Sequence, residues 1–154
     1  MIGYLSQNGM NKVFEQFVQY DPNLNQYGFG QLYKENGEPK VNQVYAGMWV
    51  QPLTTQVTDY TIIRNYQILI YDLVFDNQNL VISDCEEIGF RLIRFLKDKS
   101  DIFYISGQPT MNPFQDRFLD DVSGVIIDVA IEFNGESANC EDPDYSFTIK
   151  QNDI

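Results

Sequence analysis

The chain has 154 residues, 44% hydrophobic and 14% aromatic, which suits one domain with a sizeable core and argues against disorder outside the termini. Its 22 acids against 10 bases give a net charge of -12, which disfavours DNA reading and adhesion to anionic lipid. A repulsive wall past which DNA slides remains compatible with that charge. Cys85 and Cys140 form no CxxC pair and there is no histidine, so zinc sites and histidine-based triads are excluded. The opening residues "MIGYLSQNGMNK" carry neither the basic region nor the apolar core of a signal peptide. No apolar run reaches the length of a membrane span, so a cytosol-like compartment is expected.

In chain order, Met10, Val13, Phe14, Phe17 and Val18 form the stripe of an amphipathic helix over "MNKVFEQFVQY", ended by Asp21-Pro22. "QYGFGQLYKE" and "NQVYAGMWVQPL" read as two strands joined through a hairpin signal at Asn36-Gly37. Pro52 is expected to stop the second strand or place it at an edge. Residues 59–75 form a long strand, apolar on both sides toward its end and therefore central. "DNQN" then makes a turn, and a second helix is predicted over 83–99, with Ser83 and Glu86 as a capping box. Lys97 and Lys99 suit the negative end of its dipole.

"DIFYISG" follows as a strand, and after it comes a polar stretch. The last strand sets Val125, Ile127, Val129, Ile131 and Phe133 on one face. Residues 135–154 form an acidic, weakly patterned tail or arm on the single domain. The fold class is α+β: a mainly antiparallel sheet of about five strands with two helices packed on a face.

Chemistry is hard to place on this chain. "GFGQLY" matches a dinucleotide loop only in its first three residues, and no helix follows. The pairs Glu86-Glu87 and Asp120-Asp121 are adjacent in sequence, whereas a metal site needs ligands converging from several elements. "DNQN" lacks the glycine and terminal glutamate of a calcium loop. No active site, metal or cofactor is expected. Trp49 and Tyr45 could pack inward or serve a contact, with the core reading favoured.

Three stretches together resemble small virion proteins of tailed bacteriophages, especially those of crAss-like and related Bacteroidetes phages. They are "LNQYGFGQLYKE", "VYAGMWVQPLTTQVTDYTIIRNYQILIYDLV" and "NPFQDRFLDDVSGVIIDVAIEFN", the last followed by Cys140. The resemblance runs over roughly residues 10–143, in order. Tyr27 stands where Phe is usual, and Tyr33 where Trp is often found. It implies a tail-terminator, tail-completion or neck-ring (head–tail connector) subunit, non-enzymatic, assembled in the host cytoplasm and resident in the virion. The implied partners are its own copies in a hexameric or dodecameric ring, neighbouring portal, neck or tail proteins, and DNA passing without specific binding; no membrane is involved.

Such a subunit needs a contact surface. In the polar stretch, Phe114 and Phe118 could anchor a neighbour while Asp116, Arg117, Asp120 and Asp121 set register; alternatively both rings fold back onto their own core. On the second helix, taking Ile88 as zero on the wheel, Phe95, Leu92, Cys85, Leu96 and Ile93 cover an apolar arc of about 160°, and Phe90 widens it to about 220°. A helix lying on its own sheet needs roughly 100° or more, so Phe90 and Ile93 are in excess unless the first helix covers them. Two other readings compete: a monomeric binding or adaptor domain with an aromatic surface, and an enzyme using carboxylates alone.

Overall fold

The computed structural model describes residues 4–31, 45–75, 77–115 and 121–135. Ser6 begins the first helix, its hydroxyl accepting from the Gly9 amide at 3.0 Å, and α1 runs over Gln7–Tyr20. The extended Asp21 ends it, ahead of Pro22. The remaining elements are β1 (Gln26–Phe29), β2 (Gly47–Val57), β3 (Thr61–Leu73), α2 (Gln78–Lys97), β4 (Tyr104–Gln115) and β5 (Val122–Asn134). They form a five-stranded sheet in the order β1-β2-β3-β5-β4, with β1 and β2 parallel and every other pair antiparallel. The class is α+β, as the pattern implies.

Three local expectations are corrected. First, β1 and β2 do not form a hairpin. Parallel neighbours cannot be joined by a tight hairpin turn, and Asn36-Gly37 lies outside the described residues. Second, α2 starts five residues before Ser83. Asn77 is its cap, with Oδ1 accepting from the Asn79 and Leu80 amides at 3.0 and 3.4 Å, so Ser83 and Glu86 stand exposed inside the helix. Third, the polar stretch is not a loop at its start. β4 passes through Gly107 (φ 68°) and a register shift between Ser106 and Thr110, and continues to Gln115. An edge strand with one wet side has no need of an alternating apolar code.

Both helices bear on one face of the sheet. Met48 and Val50 of β2, Tyr66, Ile68 and Ile70 of β3, and Val125, Ile127, Val129, Ile131 and Phe133 of β5 are buried beneath them. α1 contributes Met10, Val13, Phe14 and Phe17, and α2 contributes Cys85, Ile88, Leu92 and Leu96. The helices are tied to each other by Arg91, whose Nε and Nη2 donate to the buried Asp21 carboxylate at 2.8 and 3.2 Å. That contact holds the Arg91 guanidinium even more firmly protonated than usual. Arg64, buried within β3, lies 5.3 Å from the ring centres of both Tyr4 and Phe133 and donates to the Leu5 carbonyl. It thereby pins residues 4–6 to the sheet ahead of α1.

The other face has a smaller apolar cluster, in which Trp49, Leu69, Tyr71, Phe114 and Val122 are buried. Its aromatics are seated on glycines. Trp49 pairs with Gly28, Tyr71 with Gly47, and Phe114 with Gly124. A Cβ at Gly28 would run into the Trp49 indole, and one at Gly47 into the Tyr71 phenol. The polar ends are satisfied in the same places: Trp49 Nε1 donates to the Gly30 carbonyl at 2.9 Å, and the Tyr71 hydroxyl to Gln26 Oε1 at 3.2 Å.

Candidate functional site

α2 turns Cys85, Ile88, Gly89, Leu92 and Leu96 onto the sheet. At 100° per residue Phe90 falls nearly opposite the centre of that line, and it is 52% exposed. Ile93 sits at the margin and is half-buried. α1 meets α2 on another flank, through Phe17 against Phe95 (ring centres 5.5 Å apart) and Asp21 against Arg91, and so does not cover Phe90. The excess of apolar arc is therefore real for Phe90, while Ile93 is largely absorbed by its own subunit.

Phe114 is corrected: it is buried among Trp49, Leu69, Tyr71 and Val122 and is not available to a neighbour. It pairs with Gly124 of β5, whose other partner is Tyr71 of β3. Asp121 is exposed, and its carbonyl accepts from the Val74 amide at 3.0 Å. Asp116, Arg117, Phe118 and Asp120 lie outside the described residues. Trp49 is buried, and Tyr45 is half-buried with its ring edge-on to Tyr71 at 6.0 Å.

At the start of α2, two exposed apolar residues escaped the sequence reading. Phe75, between β3 and α2, is 83% exposed, and Leu80 in the first turn of α2 is 59% exposed. The Val74–Asp121 bond sets this connection beside the one between β4 and β5. Leu80 and Phe90 lie about 15 Å apart along α2 and within about 80° around it. Leu80 and Phe90 both turn to the outer side of α2 with the exposed Ser83 and Glu87 between them, and Phe75 stands apart in the connection before the helix. The signal that would have found Phe75 and Leu80 is Asn77: read as a cap, it moves the start of the helix back and turns Leu80 outward.

A cleft of about 500 Å³ opens between the α1–β1 connection, the start of β2 and the flank of α2, lined by Asn23, Tyr45, Asp72, Asp84, Cys85 and Glu87 among others. The Cys85 thiol is pushed up to about 12, by burial first and then by the charges of Asp72 and Asp84. It stays protonated near neutrality and is a poor nucleophile or metal ligand there. Among the described residues no three histidine, cysteine or acidic side chains are grouped to hold a metal ion. Burial likewise raises the Tyr27, Tyr66 and Tyr71 phenols. No helix among the described residues is long and apolar enough to cross a membrane. Compared with models of known protein families the chain matches none, and no curated protein matches it.

Proposed function

We propose that the chain is a structural, non-enzymatic virion protein of a tailed bacteriophage. In this reading it is one subunit of a ring in the neck or tail, of tail-terminator or head–tail connector type, joining the portal and capsid to the tail. The observation that carries the reading is the exposed ring of Phe90 on the outer side of α2, which, with Phe75 and Leu80, a monomer leaves in water. The sequence resemblance over residues 10–143 supplies the kind of assembly. A charge of -12 suits a wall beside passing DNA, repelling phosphates within about 10 Å at moderate salt.

The test is mass, by sedimentation, and ring symmetry, by electron microscopy, of the full chain. The expected result is a closed homo-oligomer that Phe90→Ser or Phe75→Ser together with Leu80→Ser converts to a folded monomer. Covering each such side chain contributes about 1.5–3 kcal/mol per subunit if burial is complete. A chain that stays monomeric at all concentrations favours the monomeric adaptor reading and rejects the ring.

A further inference from the structure

The two long edges of this sheet are built differently. β4, on one side, is interrupted by Pro109 and Pro113, which have no N–H to offer a further strand, and by the register shift at Gly107. β2, on the other side, is 11 residues long, but β1 pairs only with Gly47–Val50. Among the described residues no strand lies outside the rest of β2. Pro52 and the register shift to Thr55 stand at the root of this open part. Beyond them the ladder with β3 is regular, Thr55 facing Arg64, Gln56 facing Ile63 and Val57 facing Ile62.

Residues 53–60 are all exposed, and Leu53, Val57 and Tyr60 are apolar side chains standing 45%, 73% and 70% in water. In a chain with 21% charged residues, residues 48–58 carry no charge at all. Thr and Val are good strand formers, and an exposed uncharged edge is a template for another strand.

We propose that the outer edge of β2 from Thr54 to Thr58 is a self-association surface, on which the same edge of a second copy adds in antiparallel register about a two-fold axis at Gln56. Charge decides the occupant. Two copies at -12 each repel over most of their surface, and this edge is a place where they meet without opposing like charges. Pairing about Gln56 sets each copy's Thr55 against the other's Val57, on the same side of the joined sheet, and Gln56 against its counterpart. Asp59 then falls opposite Leu53 and not opposite Asp59. The same patch on both copies makes the contact isologous and self-limiting. The inference is independent of the virion reading.

The experiment uses the full chain. Sedimentation across a concentration range is expected to show a reversible dimer, or an even-numbered assembly, whose two-fold contact weakens at least ten-fold in Gln56→Lys, where two lysines oppose each other. Gln56 is exposed, and circular dichroism of that variant is expected to match the parent. In a Cys140→Ser background, Gln56→Cys is expected to form a disulfide-linked dimer under mild oxidation, while Asn112→Cys on the β4 edge is not. Association unaffected by Gln56→Lys, linkage through Asn112→Cys instead, or a monomer throughout would overturn the proposal. A ring whose size is indifferent to Gln56→Lys would overturn it while leaving the ring reading intact.

Discussion

The two faces of the sheet bury apolar surface by different means. On the helix side, β-branched and aliphatic residues of β3 and β5 stand upright and are covered by a second layer, α1 and α2. On the other side no described helix lies over Trp49, Leu69 and Tyr71, yet Leu69 and Tyr71 are fully buried. There the Trp49 and Tyr71 rings lie against glycines of the neighbouring strand. A glycine in a strand normally weakens it, because it has no side chain to pack and more backbone freedom to lose. Here Gly28 and Gly47 are the floor on which the Trp49 and Tyr71 rings rest. The lesson is that a helix-covered face tolerates compensation by sliding and repacking, whereas on the glycine-seated face an added Cβ meets a seated ring at Gly28 or Gly47 and the backbone of β3 at Gly124.

The sharpest way to break this comparison is Gly124→Ala. A Cβ there would collide with the Ile70 carbonyl of β3, and backbone in a central ladder cannot yield as a side chain can. Destabilisation of roughly 4 kcal/mol or failure to fold is expected in urea titrations. A loss below about 1 kcal/mol would show that the central strands can shift after all.

On the covered face, Leu92→Ala removes a fully buried side chain from the middle of α2, and a loss of about 3 kcal/mol is expected by the same measurement. Gly28→Ala should cost less, roughly 1–3 kcal/mol, because the obstructing group is the Trp49 ring at an edge strand and not backbone. Trp49 is the only tryptophan, so its fluorescence reports the glycine-seated face alone. It is expected to shift in the folded Gly28→Ala protein and to stay unchanged in folded Leu92→Ala. A shift in both would mean that the two faces are not separate structural units.

The smallest effect expected is the response to alkali, which acts on both faces. Cys85 rises from an ordinary value of 9.0 to about 12, so between those limits the folded chain keeps a proton that the unfolded chain gives up. Tyr27, Tyr66 and Tyr71, each raised from 10.0, act with the same sign: burial is the first cause, joined by Glu15 at Tyr27 and opposed by Arg64 at Tyr66. Stability is therefore complete below about pH 9 and falls as the pH rises above it. The urea midpoint is expected to be lower at about pH 10.5 than at about pH 8, with phenolate absorbance from these tyrosines appearing only on unfolding. Phenolate at full yield in the native baseline would show that the rings are not shielded.

The sequence by itself determined what local period and composition can carry. The stripe Met10, Val13, Phe14, Phe17 and Val18 made α1, and the alternation from Val125 to Phe133 made β5, because residues at those spacings fall on one side of a helix or strand whatever surrounds them. The central place of β3 was also legible, from apolar residues on both of its faces near Leu69, Ile70 and Tyr71. Of the proposed contact surface, Phe90 could be read from the width of the apolar arc on α2. Tertiary structure alone decided that β1 runs parallel to β2, since a turn signal at Asn36-Gly37 does not say which strands it connects. It alone decided that Phe114 points home, because the apolar cluster that receives its ring is assembled from Trp49, Leu69, Tyr71 and Val122 on three other strands. Pairing between strands distant in sequence sets which side chains face a glycine, which edges stay open and which apolar residues remain in water, and none of these leaves a periodic trace along the chain.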